Sequence, residues 1–241
     1  MISVDPLISV VTVTWNCAKT LEKTLLSVEA VKSDVMEYLV IDGGSTDGSL
    51  ELIKAYDHIV DLLVSEEDSG IYNAMNKGAA LAKGRYILFI NGDDELVEQG
   101  FPAVMQAMER GKSDIICATT LVGSVKEPCE ILVAKPAKLP FFNTIPHPSS
   151  FVRISLMKAC PFREDLRIAS DYDFFLQAFL GRRAFEVLPV VTALHQRGGA
   201  SGNQDLSALE IERVRRQRLG WKYHFVEGIR NLYRVFKRIV G

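Results

Sequence analysis

The chain's 241 residues, 48% of them hydrophobic, allow one sizeable core, and a formal net charge of −2 gives no indication of a nucleic-acid partner. Four cysteines without C-x-x-C spacing argue against a zinc site or a disulfide framework and fit a reducing cytoplasm. No basic run precedes the first apolar stretch and no apolar run reaches membrane-spanning length, so neither a secretory signal nor a membrane span is expected.

In the first half of the chain, short β-branched runs alternate with segments of helical period, which predicts βαβ units around a mostly parallel sheet. Predicted strands cover residues 7–14, 38–41, 59–64, 85–90 and 114–120. Helices are expected at 18–30, from a cap at 45–47 to residue 56, at 70–83 with Gly84 as the C′ residue, and at 98–110 before Gly111. The predicted fold class is α/β, with helices flanking the sheet.

The second half of the chain has a weaker pattern. Five prolines between residues 122 and 148 predict an extended or loop-rich excursion. A helix is expected at 171–180, followed by strands at 185–188 and 190–194. Beyond Asp205 the pattern predicts one or two helices.

Amide or carboxylate side chains accompany the ends of the first four predicted strands. They are Asn16 at the first strand, Asp42 at the second, Glu66, Glu67 and Asp68 at the third, and Asn91, Asp93 and Asp94 at the fourth. Because ligands bind outside the carboxyl ends of the strands in an open parallel sheet, one ligand could touch all four ends. Ordinary loop polarity is the alternative for any single residue.

The segment Asn91-Gly92-Asp93-Asp94 is the most informative of the four. Two adjacent carboxylates repel each other unless they are solvated, hydrogen-bonded or shared with a cation. Mg²⁺ and Mn²⁺ commonly bind through one or two carboxylates together with substrate phosphates, so a diphosphate fits as the third party. A turn followed by a helix cap is the alternative interpretation.

The segment from Asp42 to Gly48 is rich in glycine but lacks the spacing of a phosphate loop. A dinucleotide fingerprint needs G-x-G-x-x-G after the first strand, where this chain has Trp15-Asn16-Cys17-Ala18, and no G-x-x-x-x-G-K-[ST] occurs. We expect Asp42 to hydrogen-bond a nucleoside instead, with the glycines allowing the backbone to approach it.

Segments 7–16, 42–49, 65–78 and 91–94 together resemble glycosyltransferase family 2, whose members have the Rossmann-like GT-A fold. Residues 65–78 look like the bacterial polysaccharide-assembly (colanic-acid-type) branch, and the likeness spans roughly residues 7–202. It implies that Asp42 contacts the nucleotide base, that Asp68 lies along the donor site, and that Asp93 is the main ligand of Mn²⁺ or Mg²⁺ in a D-x-D motif. The residues it places at the nucleotide-sugar site also include Thr14, Asn16, Asn76, Asn91 and Asp94. Asn91 departs from the family pattern, which begins this motif with Asp.

The segment from Phe162 to Asp173 resembles the acceptor side of the same family, in which an Asp that precedes a helix is the catalytic base. Asp171 matches that Asp. Without the resemblance, a carboxylate at a helix start is ordinarily a cap. In several GT-A enzymes a late His completes the metal site, and His195 is the candidate here, although a lone His is more often structural or solvent-facing.

Residues 211–241 contain nine basic and two acidic side chains, so this segment carries +7 and the rest of the chain −9. Apolar residues interleave with the basic ones at helical spacing. One interpretation is a basic amphipathic helix in peripheral contact with an anionic membrane. The other is a helix packed on the domain with a solvated basic face.

The resemblance implies an inverting, metal-dependent glycosyltransferase that moves a hexosyl or hexosaminyl group from a nucleotide-diphospho-sugar to a saccharide or lipid-linked saccharide, in bacterial polysaccharide or glycan assembly. The predicted organisation is a GT-A domain at 1–204, with a nucleotide-sugar half at about 1–120 and an acceptor half at about 121–204, then a basic helical extension at 205–241. The expected location is the cytoplasm or the cytoplasmic face of the inner membrane. Two alternatives stay open: an inactive nucleotide-sugar-binding protein, because of Asn91, and a sugar-phosphate nucleotidyltransferase, which would need a glycine- and arginine-rich loop after the first strand that is absent.

Overall fold

The computed structural model describes residues 5–123, 128–196 and 204–240, with side chains described to residue 233 in the last helix. Its first four long strands are parallel neighbours in the order β3-β2-β1-β4. Their bounds are β1 (Ile8–Thr14), β2 (Met36–Asp42), β3 (Leu62–Ser65) and β4 (Tyr86–Asn91). The predicted α/β class and the parallel sheet are confirmed, and the third strand is shorter than expected.

The sheet continues beyond β4 with strands of mixed direction. They are β5 (Glu95–Leu96), β6 (Ile115–Gly123), β7 (Pro128–Val133), β8 (Ser150–Arg153) and β9 (Phe185–His195). Strand β8 lies between β4 and β6 and is antiparallel to both, whereas β9 runs parallel to β6 and carries β5 on its outer side. The two strands predicted at 185–188 and 190–194 are one strand. Pro189 has no backbone N–H to donate, but it lies where the β6–β9 register shifts, so the strand continues through it without losing a hydrogen bond of the ladder.

Helices cover both faces of the sheet. Their bounds are α1 (Leu21–Val31), α2 (Ser49–Ala55), α3 (Ile71–Leu81), α4 (Phe101–Arg110), α5 (Ile154–Ala159), α6 (Ser170–Leu180), α7 (Gln204–Leu219) and α8 (Tyr223–Val240). Gly111 ends α4 in the left-handed region at φ 61°, as predicted. The prediction for Gly84 is wrong: α3 ends at Leu81, and a Cβ at Gly84 would lie 2.5 Å from the Ser9 backbone nitrogen, so this glycine permits a close approach to β1.

The core consists of two apolar layers, one on each face of the sheet. Val11 of β1 packs with Met75 of α3 in one layer, and Val10 packs with Leu25 and Val104 of the opposite helices in the other. Every residue of β1 is buried, as expected for a central parallel strand covered on both sides.

The two C-terminal helices pack against the second half of the sheet domain. Arg218 of α7 makes a two-pronged ion pair with the buried Asp173 of α6, with N–O distances of 2.8 and 2.6 Å. Tyr223 of α8 donates to Glu212 of α7 at 2.6 Å. Across the described residues, none of the helices is both long enough and apolar enough to cross a bilayer.

Candidate active site

The loops after β1 and β2 are joined by Asn16. Its side-chain oxygen accepts from the Thr46 backbone N–H at 2.9 Å, and its own N–H donates to the Ser45 hydroxyl at 2.8 Å. Asn16 has φ 51°, in the left-handed region that asparagine tolerates better than most residues. The first two strand ends therefore form one continuous edge.

Asp42 is fully buried at the end of β2. Its carboxylate accepts from the Ser45 N–H at 3.1 Å, from the Ser45 hydroxyl at 2.5 Å and from the Ser65 hydroxyl at 2.6 Å. These bonds fasten the loop after β2 to the end of β3. The predicted contact between Asp42 and a nucleotide base stays a prediction, and in this structure the carboxylate organises the surrounding loops.

Trp15, Gly43 and Asp68 lie together where the first three strands end. A Cβ at Gly43 would lie 2.6 Å from an Asp68 carboxylate oxygen and 3.4 Å from the Trp15 ring, so the close approach of these three residues requires glycine. The other Asp68 oxygen accepts from the Gly70 N–H at 2.8 Å. Trp15 is 66% exposed although it is a large apolar side chain. The sequence argument missed Trp15; its signal was an aromatic residue between Thr14 and Asn16 at a strand end.

Asp94 is fully buried in the loop that follows β4. One carboxylate oxygen lies 2.7 Å from Nδ1 of His195, and the other accepts from the Asn91 side-chain amide at 3.4 Å. The Asp94 hydrogen bond raises the pKa of His195 above its ordinary value and outweighs the effect of burial. The structure thus brings together three predicted residues that lie up to 104 positions apart, on β4, its following loop and β9.

Asp93 lies beside this pair and is partly exposed. Burial first, and the neighbouring Asp94 second, raise its pKa, while His195 lowers it. Over residues 5–123, 128–196 and 204–240 no group of three or more His, Cys, Asp or Glu side chains is arranged to hold a metal ion. A metal at Asp93 would therefore need oxygens from a bound substrate to complete its coordination.

Two buried polar atoms at this edge have no hydrogen-bond partner: the Thr14 hydroxyl and the Asn91 side-chain oxygen. They belong to neighbouring strands, since Val13 pairs with Asn91 across β1 and β4. A Cβ at Gly92 would lie 2.9 Å from the Thr14 hydroxyl, so the backbone passes closely over it. Unpaired buried polar atoms are rare in folded proteins, so both oxygens are available to a bound ligand or water.

Asp171 occupies the first turn of α6 and contacts the donor-side half of the sheet through Tyr72. The Tyr72 hydroxyl donates to the Ile168 carbonyl at 2.7 Å and to the Asp171 carboxylate at 3.3 Å. Since Tyr72 lies in the first turn of α3, four residues after Asp68, Asp171 also lies at the carboxyl edge of the sheet. Burial raises the pKa of Asp171 to about 6, against the lowering effect of the Tyr172 N–H and of Tyr72.

Asn76 of α3 binds the segment that precedes α6. Its amide pairs with both backbone groups of Phe162 at 2.9 Å and also donates to Glu164 at 2.9 Å, while Asn73 donates to the other Glu164 oxygen. These amides lower the pKa of Glu164. The amide of Asn76 is thus used within the protein, and its predicted contact with the donor stays a prediction.

Glu210 of α7 holds the turn that leads into α6. Its nearly buried carboxylate accepts three successive backbone N–H groups, from Arg167 at 2.8 Å, Ile168 at 2.8 Å and Ala169 at 3.0 Å. Asp171 follows two residues later. The C-terminal extension therefore fixes the backbone that presents Asp171, a role that the sequence alone did not indicate.

Glu210→Ala is expected to destabilise the protein by roughly 1–3 kcal/mol, since a buried donor that loses its partner costs about that much and the Ala169 N–H is buried, whereas the bonds from Arg167 and Ile168 are partly exposed. Glu210→Gln, which keeps one acceptor oxygen, should lose less. Urea unfolding of both variants measures the effect, with the exposed Glu109→Gln as a control. Equal stability of Glu210→Ala and the wild type would contradict this role.

Comparison with known proteins agrees with this geometry. The family described as "Glycosyl transferase family 2" matches residues 9–144. An uncharacterised glycosyltransferase of Mycobacterium tuberculosis is 33% identical over 186 residues, covering 73% of this chain and 70% of the relative. A PGL/p-HBAD biosynthesis glycosyltransferase of Mycobacterium bovis is 29% identical over 206 residues, covering 81% of this chain and 79% of the relative.

Solved structures show the same architecture. Staphylococcus aureus TarS 1-349 in complex with UDP-GlcNAc superposes with a TM-score of 0.71 at 18% identity, covering 92% of this chain and 70% of that chain. Glucosyl-3-phosphoglycerate synthase from Mycobacterium tuberculosis, in complex with Mn²⁺, UDP and glucosyl-3-phosphoglycerate, has a TM-score of 0.64 at 18% identity, covering 89% of this chain and 80% of that chain.

The sheet order and the likeness to these structures show the GT-A fold, as predicted. The family match spans more than half of the chain, and the 33% identical relative covers more than two thirds of it. The chain belongs to glycosyltransferase family 2. The colanic-acid-type branch remains a prediction.

Proposed function

We propose that this protein transfers a sugar from a nucleotide-diphospho-sugar to an acceptor hydroxyl with inversion of the anomeric configuration. One observation carries the proposal: the exposed Trp15, the unpaired Thr14 and Asn91 oxygens, and the partly buried Asp171 lie at the same edge of the sheet. A donor laid along this edge would have its base at the first strand ends and its diphosphate at the fourth.

The donor's base would stack on Trp15, beside Gly43 and Asp68. The exposed indole gives it a flat apolar surface. The UDP-GlcNAc complex of the similar TarS supports a nucleotide-sugar as the ligand class. Asp42 and Asn16 would act by holding the loops in place, through the bonds that join them to residues 45 and 46.

The residues at the fourth strand end fit a divalent cation, Mn²⁺ or Mg²⁺. Asp93 would be the main ligand and His195 a second one, while Asp94 orients His195 and the unpaired Asn91 oxygen faces no competing partner within the protein. Such an ion stabilises the negative charge of the departing diphosphate. The Mn²⁺ complex of glucosyl-3-phosphoglycerate synthase supports this assignment.

Asp171 would be the general base. As the acceptor oxygen forms a bond to the anomeric carbon, its proton passes to the Asp171 carboxylate, and the bond from that carbon to the diphosphate oxygen breaks. A pKa of about 6 leaves Asp171 ionised at neutral pH yet basic enough to take a proton. Attack opposite the leaving group inverts the anomeric carbon in a single displacement.

The acceptor would be a saccharide or lipid-linked saccharide in bacterial glycan assembly, in keeping with the PGL/p-HBAD biosynthesis named for the mycobacterial relative. The proposed location is the cytoplasm or the cytoplasmic face of the inner membrane. The inactive nucleotide-sugar-binding protein is the competing hypothesis, and catalysis separates the two.

The test is a panel of UDP-, GDP- and dTDP-sugars with Mn²⁺, scored by thermal stabilisation and then by release of nucleoside diphosphate. A donor at 100 times its Kd should stabilise the fold by about 2.7 kcal/mol. Binding followed by Mn²⁺-dependent turnover supports the transferase. Binding without hydrolysis or transfer to any saccharide acceptor would support the inactive alternative, and absence of binding across the panel would contradict both.

Trp15→Ala is expected to weaken donor binding by roughly 5- to 150-fold, because stacking of a base on an aromatic ring contributes about 1–3 kcal/mol. Isothermal titration with the nucleoside diphosphate measures the change. Trp221→Ala is the matched control, since Trp221 is equally a surface tryptophan but lies just before α8. Equal loss of affinity in both variants, or none in Trp15→Ala, would place the base elsewhere.

A further inference from the structure

Up to residue 233, α8 and the turn before it have two apolar faces, and the domain covers one of them. On the inner face, Tyr223 and Val226 are buried together with Leu219 of α7 beside Phe141. The Arg230 guanidinium lies 5.4 Å from the ring centre of Phe142 on the same side. The helix therefore packs on the domain through one face, and among its described side chains the other face is exposed.

The outer face carries an exposed apolar stripe, defined here as Trp221, Phe225 and Leu232. Their exposed fractions are 84%, 73% and 73%, and Ile229 between them is also exposed. Spacings of three and four residues place these side chains on one side of the helix, opposite the buried inner face. Contiguous exposed side chains of this size indicate an interaction surface rather than chance exposure.

Cationic residues accompany the stripe. The ammonium group of the exposed Lys222 lies 5.6 Å from the Trp221 ring centre, and residues 211–241 carry nine basic against two acidic side chains. Several described arginines of this segment pair with carboxylates, among them Arg213 with Asp165, Arg216 with Glu212, Arg218 with Asp173 and Arg230 with Glu227. The stripe therefore combines bulky aromatic and aliphatic groups with the ammonium group of Lys222, in a segment whose formal net charge is +7.

This combination fits an anionic bilayer better than a second copy of the chain. Two copies joined through this stripe would bring two segments of charge +7 together, and like charges oppose such an association. Anionic lipid headgroups would instead neutralise them, while tryptophan and phenylalanine enter the boundary between headgroups and acyl chains.

We propose that the stripe of Trp221, Phe225 and Leu232 docks the protein on an anionic lipid surface as a peripheral contact. The inner face keeps the helix fixed to the domain, so docking would hold the whole enzyme at the membrane. The proposal depends on α8 and the turn that precedes it, and it is independent of the donor chemistry.

The test is co-sedimentation of the full chain with vesicles of phosphatidylglycerol and phosphatidylcholine, and with vesicles of phosphatidylcholine alone. The wild type should bind the anionic vesicles and release them as salt rises from about 0.05 to 0.5 M. The triple variant Trp221→Ser, Phe225→Ser, Leu232→Ser should bind at least about tenfold more weakly. The control replaces three exposed leucines elsewhere, Leu26, Leu81 and Leu180, with serine and should bind like the wild type.

Circular dichroism and light scattering complete the experiment. The stripe variant should keep wild-type helicity and melting temperature, because its three side chains are exposed. Unchanged vesicle binding in a folded stripe variant would overturn the proposal, as would equal binding to neutral and anionic vesicles. A wild-type dimer that becomes monomeric in the stripe variant would also overturn it, because a second copy would then cover the stripe.

Discussion

Asp171→Asn is expected to lower the rate of sugar transfer by roughly 10²- to 10⁴-fold, the usual effect of losing a general base, while donor affinity stays close to normal. Asparagine keeps the shape and can still accept the bonds from Tyr72 and from the Tyr172 N–H. It cannot take a proton from the acceptor. Single-turnover transfer and separate donor titration measure the two quantities.

The matched control for this variant is Asp165→Asn, because Asp165 is an exposed carboxylate in the same segment. Asp173 would be a poor control although it lies only two residues away. It is buried in an ion pair with Arg218, so its loss would destabilise the junction between α6 and α7. Full activity in Asp171→Asn, or an equal loss in Asp165→Asn, would remove Asp171 as the base.

The pKa of Asp171 also predicts a pH dependence. Since the base must be ionised, kcat/KM should fall about tenfold per pH unit below pH 6 and level off above it. The folded pKa of about 6 exceeds the ordinary 3.8, so the folded state holds this proton more tightly, and the associated stability is present at low pH and lost as pH rises through 6. Asp171→Asn should therefore be at least as stable as the wild type at pH 7.5, which a thermal melt will show.

Asp93→Asn is expected to lower Mn²⁺-dependent transfer by roughly 10²- to 10³-fold or more, because a bound ion contributes several kcal/mol of charge stabilisation. The substitution removes the charge but keeps the volume of a partly exposed side chain, so the fold should survive. Donor binding should lose most of its dependence on Mn²⁺. Calorimetric titration of nucleoside diphosphate with and without Mn²⁺ tests this directly.

Glu109→Gln on α4 is the control for Asp93→Asn, since it removes one negative charge from an exposed surface position away from the strand ends. It should bind Mn²⁺ and donor normally. Near-normal turnover in Asp93→Asn would show that the ion, if used, is held by other groups.

The first four strands and the polar residues at their ends were predictable because the signals are local. Apolar runs such as residues 8–14 are long enough to identify buried parallel strands, and parallel strands bring their carboxyl ends to one edge. Asn16, Asp42, Asp68 and Asn91 followed from that rule alone. The hydrogen bonds that these side chains make could not be predicted, because they depend on which loops pack against each other in the folded chain.

The acceptor side depended on contacts between distant parts of the chain. Tyr72 and Asp171 are 99 residues apart, and Glu210 reaches Ala169 across 41. No periodicity or spacing signals such pairs. Strand β8 was missed for a similar reason: its four residues follow a proline-rich stretch, and they form a strand only because β4 and β6 supply partners on both sides.

The C-terminal segment shows most clearly what the sequence determines and what the tertiary structure decides. The sequence by itself determined that residues 211–241 are strongly basic and have apolar residues at helical spacing, because charge and residue spacing are properties of the chain. Only the tertiary structure decided that Tyr223 and Val226 face the domain while Phe225 and Leu232 face outward. A helix with apolar residues on two sides can bury either, and the choice rests on the shape of the surface against which it packs.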